Sequence, residues 1–257
     1  MTDERHIEFL QAFWTRRAVV TYVIFAVNIV IFALMVLAGG AAMLTASGAT
    51  SEVTLLAFGM KDNVLIDQGE IWRMLTPVFI HIGLLHIFFN SYAIWIVAPQ
   101  VEKLYGSARF TIIYLVTGIA GVAGSYWYHP ETPSAGASGA IFGLFGALLV
   151  FGFKYRSSIP PEFQKAVGKG VFPVIAINLF IGYAIPGIDN SAHISGLLAG
   201  ALLAAVIPYQ RPGSSTSISF KMIQAVLIFV VILCFYEVAV HYNGPAISLH
   251  NLSRIVE

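Results

Sequence analysis

Apolar residues fall into seven long runs, at 19–37, 77–97, 110–128, 138–153, 171–185, 191–207 and 220–240, separated by short polar stretches. A helix crossing the hydrocarbon of a bilayer needs about 17 to 25 such residues, so the pattern predicts seven transmembrane helices. Two of the runs are shorter than a full span: either those helices extend into polar loops, or their ends sit below the membrane surface. The run at 138–153 matters most. At about 1.5 Å per residue it covers about 24 Å of a roughly 30 Å core, which would recess a residue at its outer end by several ångströms.

The polar stretches alternate in charge. Those on the side of the N-terminus carry Arg5, Arg16, Arg17, Lys103, Arg109, Lys154, Arg156, Lys165, Lys169, Arg211 and Lys221, whereas the opposite side holds only Lys61, Arg73 and Arg254. Short cytoplasmic loops carry the excess of lysine and arginine, so the N-terminus is expected in the cytoplasm and the C-terminus outside. The heads of the second, fourth and sixth helices then share the outer face. Composition agrees with this picture: 58% of residues are hydrophobic and 11% charged, with a mean hydropathy of +0.80. That excludes an ordinary soluble domain. A net charge of +1 with no basic run argues against nucleic acid as a partner. The single cysteine, Cys234, lies in an apolar run and allows no intramolecular disulfide.

Candidate chemistry lies at those three helix heads. They carry His81, His86 and Asn90; Ser138, inside Gly136-Ala-Ser-Gly139; and His193. Serine is the commonest hydroxyl nucleophile and histidine its usual base, and ionisable residues inside a membrane are costly enough to be functional by default. His86 and Asn90, four apart, share a helix face. Gly196, Gly200 and Ala204 follow His193 as a smooth stripe, and Gly139, Gly143, Gly146 and Ala147 offer another after Ser138. Small residues at this spacing let membrane helices approach closely, which would bring Ser138 to His193 and lay Phe142 against the imidazole. The backbone N–H groups of Ser138 and Gly139 at the helix start, with the Asn90 amide and the His86 ring, are candidate oxyanion donors. The nearest carboxylate, Asp189, sits in the loop before His193, so a dyad is expected.

These residues resemble the rhomboid intramembrane serine proteases. The resemblance runs through Glu70-Ile-Trp72-Arg73, His81-x4-His86-x3-Asn90, Val101-Glu-Lys-Leu-Tyr-Gly106-Ser, Gly136-x-Ser138-Gly139 and Ala192-His193-x2-Gly196-x3-Gly200, from the first loop to the sixth helix. It implies Ser138 as nucleophile, His193 as general base and acid, and His86 and Asn90 as oxyanion partners. It also implies a site opening outward, substrates that are single-pass transmembrane proteins, and a first loop with Trp72 and Arg73 lying partly in the outer leaflet. Where some members carry tyrosine one turn after the serine, this chain has Phe142, keeping the ring without the hydroxyl. The run at 220–240 resembles a "six plus one" arrangement.

The expected architecture is therefore an all-α polytopic membrane protein: a short cytoplasmic segment at 1–17, a six-helix rhomboid core at 18–209, and a linker, seventh helix and short outer tail at 210–257. Each feature also has a plainer reading. A serine at a helix start commonly caps it, His86 and Asn90 can simply bond neighbouring helices, and Trp72 with Arg73 makes an interfacial anchor. No HExxH follows His81 or His86, and no paired aspartates lie within the helices, so metal-dependent and aspartyl proteases are disfavoured; no metal or cofactor is expected. A transporter would be expected to carry intramembrane carboxylates, for which Glu237 is the one candidate. The rival is a catalytically inactive rhomboid-like protein that binds membrane clients. The absence of an Arg- and Ser-rich presequence points to a bacterial cytoplasmic membrane.

Overall fold

The computed structural model describes residues 2–241; Arg254 and the outer tail expected after the seventh helix lie outside the described residues. Within them the chain is an all-α polytopic membrane protein. Five helical segments are long and apolar enough to cross a membrane: Glu4–Gly39, Gly83–Tyr105, Ser107–Tyr128, Pro161–Ala184 and Ile218–His241, with Ser138–Lys154 and Asn190–Val206 as shorter apolar helices. Each of the seven apolar runs holds a helix, and the boundaries explain the differences from expectation. The run at 171–185 gains length because α9 (Pro161–Val167) leads through a turn into α10 (Val171–Ala184). By contrast α8 (Ser138–Lys154) and α11 (Asn190–Val206) keep 17 residues each.

The second span begins later than its apolar pattern. Pro77 is the second residue of a 3-10 turn, Thr76–Phe79, and Gly83 takes φ of +81°, a conformation that a side chain resists. α6 (Gly83–Tyr105) therefore starts six residues into the run and places His81 in the preceding loop, not on the helix. α2 (Val19–Gly39) has no local cap; the buried Glu102 of α6 caps it across the bundle. Its carboxylate accepts from Val20 N at 2.9 Å, Thr21 N at 2.7 Å, the Thr21 hydroxyl at 2.8 Å and the Ser107 hydroxyl at 2.6 Å. A negative group at a helix N-terminus is favourable, which is why this buried acid is tolerated.

The described part of the N-terminal segment, residues 2–17, holds more order than a short segment implies. α1 (Thr2–Thr15) docks through Phe9 and Phe13, both buried, against Phe151, Phe163 and Tyr209. The loop from α2 to α6 folds over the other end of the bundle as α3 (Ala42–Thr45), α4 (Gly48–Ala57), α5 (Asn63–Asp67) and two 3-10 turns, Ile71–Met74 and Thr76–Phe79. Arg73 pins it, with Nε donating to Glu70 at 2.6 Å and a terminal nitrogen to the Leu56 and Met60 carbonyls at 2.7 and 2.8 Å. Trp72, beside it, stacks near His241 of α12 (Ile218–His241) with ring centroids 4.6 Å apart. Phe79 meets Phe235 at 5.7 Å, so the seventh helix braces the first loop as well as α7 (Ser107–Tyr128).

The centre of the bundle is where α7, α8 and α11 meet. A Cβ on Gly196 would lie 2.0 Å from the Gly139 carbonyl oxygen, and one on Gly200 1.9 Å from that of Gly143. On Gly121 it would lie 3.0 Å from the Ala192 oxygen. The small-residue contact thus involves three helices. Gly121 and Gly124 of α7, three apart, supply the stripe that the reading of α8 and α11 alone left out.

Candidate active site

Close packing of α8 on α11 brings Ser138 and His193 together, with the serine Oγ 3.0 Å from the imidazole Nε2. Ser138 is half-buried and His193 buried. The capping reading of Ser138 fails on geometry: the N-cap of α8 is Ala137, no side chain caps that helix, and the hydroxyl bonds across to α11. The neighbouring helix start is built the other way. Asp189 caps α11, accepting from Ser191 N at 3.1 Å and Ala192 N at 3.2 Å, and also meets the His129 ring at 3.2 Å. Burial pushes the Asp189 carboxyl up, but hydrogen bonds from serine hydroxyls, Ala192 N–H and His129 outweigh it and hold the group below its ordinary value. The His193 N–H donates to the Asp189 carbonyl at 3.3 Å, but among the described residues the Asp189 carboxylate makes no hydrogen bond to the His193 ring, whose partners are Asn190 and Ser138.

The other imidazole nitrogen has a partner that sequence reasoning missed. His193 Nδ1 lies 3.2 Å from Asn190 Oδ1, and the Asn190 amide nitrogen donates to the Leu179 carbonyl at 3.0 Å. The second bond fixes which way the amide faces. Because Oδ1 only accepts, Nδ1 carries the proton, and Nε2 is left as the acceptor of the Ser138 hydroxyl. The sequence signal was available as Asn190 three residues before His193, one turn away on the same helix. Phe142 lies flat on the imidazole, centroids 4.3 Å apart and planes 10° from parallel, and so holds the ring's orientation.

On α6, His86 takes a defined tautomer. Its Nδ1 accepts from Ile82 N at 3.1 Å, so the proton sits on Nε2. That edge faces Gly136: a Cβ there would lie 2.7 Å from His86 Nε2 and 3.8 Å from Ser138 Oγ. Gly136 takes φ of +132°, and its N–H donates to the Pro77 carbonyl at 2.9 Å. Glycine is needed for both the conformation and the space. The first-turn N–H groups of Ser138 and Gly139 start α8 beside this donor. Asn90 is less directly placed than its spacing implied. Its amide nitrogen donates to the His86 carbonyl at 3.0 Å, its own helix, and its Oδ1 is buried without a partner among the described residues. His81 touches the site only through the His86 ring, 5.4 Å away.

The loop delivering Ser138 is anchored from the first loop. Lys61 is fully buried, with Nζ donating to the His129 and Thr132 carbonyls at 2.8 and 2.9 Å, and its backbone pairs with Ser134. Burial pushes its ammonium below the ordinary lysine range, while Asp189, Asp62 and Glu131 pull it back up. Trp72 and Arg73 stand apart from Ser138 and hold the first loop itself. Gly196 and Gly200 lie under His193 as the packing surface.

Comparison with known proteins meets this geometry. A family model described as "Rhomboid domain" matches residues 68–210. The chain is 41% identical over 221 residues, 86% of its length, to "Rhomboid protease GluP" of Bacillus subtilis (strain 168), spanning 40% of that protein. It is 36% identical over 165 residues to "RHOMBOID-like protein 6, mitochondrial" and 32% identical over 161 residues to "RHOMBOID-like protein 5", both of Arabidopsis thaliana. These matches cover 62% and 60% of this chain and 52% and 50% of those proteins. With its domain match spanning more than half the sequence, this multi-pass membrane chain belongs to the rhomboid family.

Proposed function

We propose that this protein is an intramembrane serine endopeptidase that cuts single-pass transmembrane proteins with a Ser138–His193 dyad. The observation that carries the reading is the 3.0 Å contact from Ser138 Oγ to a His193 nitrogen left as acceptor by Asn190. His193 Nε2 takes the serine proton as Oγ attacks the scissile carbonyl, then returns it to the leaving amine; water, activated by the same nitrogen, releases the acyl group. The developing oxyanion is received by the Ser138 and Gly139 N–H groups at the start of α8 and by His86 Nε2–H, with Asn90 in support. The excess of lysine and arginine at the other end of the bundle supports a site that opens toward the outer face, in this reading the outer face of a bacterial cytoplasmic membrane.

The test is reaction of the purified protein, in detergent, with a fluorophosphonate probe. Covalent labelling at Ser138 is expected. A folded protein that takes no label would move the reading to a client-binding rhomboid-like protein.

Two further results follow from the geometry. Asn90→Ala is expected to slow cleavage only by about tenfold, less than the roughly hundredfold typical of losing a dedicated donor, because its amide is already engaged by the His86 carbonyl. Unchanged steady-state kinetics would remove Asn90 from the oxyanion site. Asn190 is a positioning residue. Asn190→Ala is expected to cut kcat by roughly 10- to 100-fold, below the about 10⁴ seen where a buried carboxylate orients the histidine. KM and the thermal transition should stay close to native, and Asn190→Asp, which keeps an acceptor for Nδ1, should recover part of the rate. Equal losses in Asn190→Ala and Asn190→Asp would contradict the role.

A further inference from the structure

At the end of the bundle away from Ser138, four helix ends meet: the starts of α2, α7 and α12 and the end of α6. Between them opens a cleft of about 440 Å³, lined among others by Arg16, Arg17, Glu102, Ser107 and Lys221. Its charges are not equivalent. Arg16 is committed to the protein, donating to the carbonyls of Lys103, Gln210 and Arg211 at 2.9, 2.7 and 2.9 Å. Glu102 is committed too, its carboxylate filled by the donors of α2 and Ser107. Arg17 and Lys221 are exposed and make no side-chain hydrogen bond or ion pair among the described residues. Two unspent cations therefore face one cavity, on two elements, while the one acidic side chain in its lining is already taken up by hydrogen bonds from α2 and Ser107.

The surroundings say where a partner anion would come from. Arg17 leads directly into α2, whose Val19 and Tyr22 are half or more exposed, and Lys221 stands between Ile218 and Met222 of α12, exposed by 70% and 63%. Both cations thus sit where apolar, lipid-facing helix surface gives way to polar chain, the depth of phospholipid head groups. We propose that this cleft binds a phosphate group at head-group depth, that of an anionic phospholipid, held between Arg17 and Lys221. The phosphate bridges the core to α12, of whose apolar stretch only 6% is buried, and so fastens the seventh helix at this end. At its other end the same helix is held by Trp72 and Phe79.

The experiment is thermal unfolding of the full chain in a neutral detergent with added short-chain phosphatidylglycerol, phosphatidylcholine of the same chain length, or inorganic phosphate. Phosphatidylglycerol is expected to raise Tm saturably, with phosphatidylcholine and inorganic phosphate doing little. The double variant Arg17→Gln, Lys221→Gln should bind about 30-fold more weakly, at about 1 kcal/mol per basic residue, while Arg17→Lys keeps the response and fluorophosphonate labelling is unchanged in both. An equal rise with inorganic phosphate would mean that the site takes the free anion and not the lipid. A phosphatidylglycerol response identical in the double variant, an equal response to phosphatidylcholine, or no response in the native chain would each overturn the proposal.

Discussion

Ser138→Ala is expected to abolish both substrate cleavage and fluorophosphonate labelling while leaving the fold and thermal transition nearly native. In serine proteases generally, loss of the nucleophile costs about 10⁶ in kcat, and among the described residues no second hydroxyl hydrogen-bonds His193 Nε2. The cost to folding is small for a reason visible in the helix start. If Ser138 were the cap of α8, its removal would cost about 1 kcal/mol. The cap position belongs to Ala137, and the hydroxyl's contact is with the histidine at a half-buried site. His193→Ala should be equally inactive but less innocent structurally, because the imidazole also fills the face of Phe142. Measuring labelling and cleavage beside a thermal melt separates the two effects. Labelling that persists in Ser138→Ala would place the nucleophile elsewhere and end the dyad reading.

How far the sequence carried the structure differs from element to element. The seven spans were legible because hydrophobic run length is set by the bilayer, not by tertiary contacts. The pairing of Ser138 with His193 was legible because one glycine stripe begins beside Ser138 and the other one turn after His193, which leaves little choice of which faces meet. What escaped depended on backbone or rotamer detail. Run length could not say that Pro77 and Gly83 would delay α6 and leave His81 in a loop. Spacing placed Asn90 on the right face but could not see its amide folding back on the His86 carbonyl. Asn190 was illegible as the partner because spacing does not distinguish it from Asp189, the charged neighbour, whose carboxylate caps the helix instead of touching the imidazole. The bracing role of α12 was illegible because that helix is apolar on every side and its sequence marks no packing face.

The contact between α8 and α11 makes the other large prediction. Gly196→Ala and Gly200→Ala each add one methyl group, but each lands about 2 Å from a backbone oxygen of α8, that of Gly139 or Gly143. No rotamer change can relieve a clash between a Cβ and a main-chain carbonyl, so α11 must move away from α8. Overpacking of this kind costs about 1–3 kcal/mol. The effect on rate should exceed that share, because Gly196 lies one turn below His193 and Gly139 directly follows Ser138. A shift of about 1 Å lengthens the 3.0 Å contact beyond hydrogen-bond range and costs about 10²-fold in rate. Gly196→Ala should therefore label at least about a hundredfold more slowly at temperatures well below its melt, with Gly200→Ala losing more stability than rate because it lies a turn deeper. Leu202→Ala, on the exposed side of the same helix, serves as the control and should leave both quantities within experimental error. If Gly196→Ala melted lower yet labelled at the native rate, the serine and histidine would be positioned by something other than this close approach of two backbones.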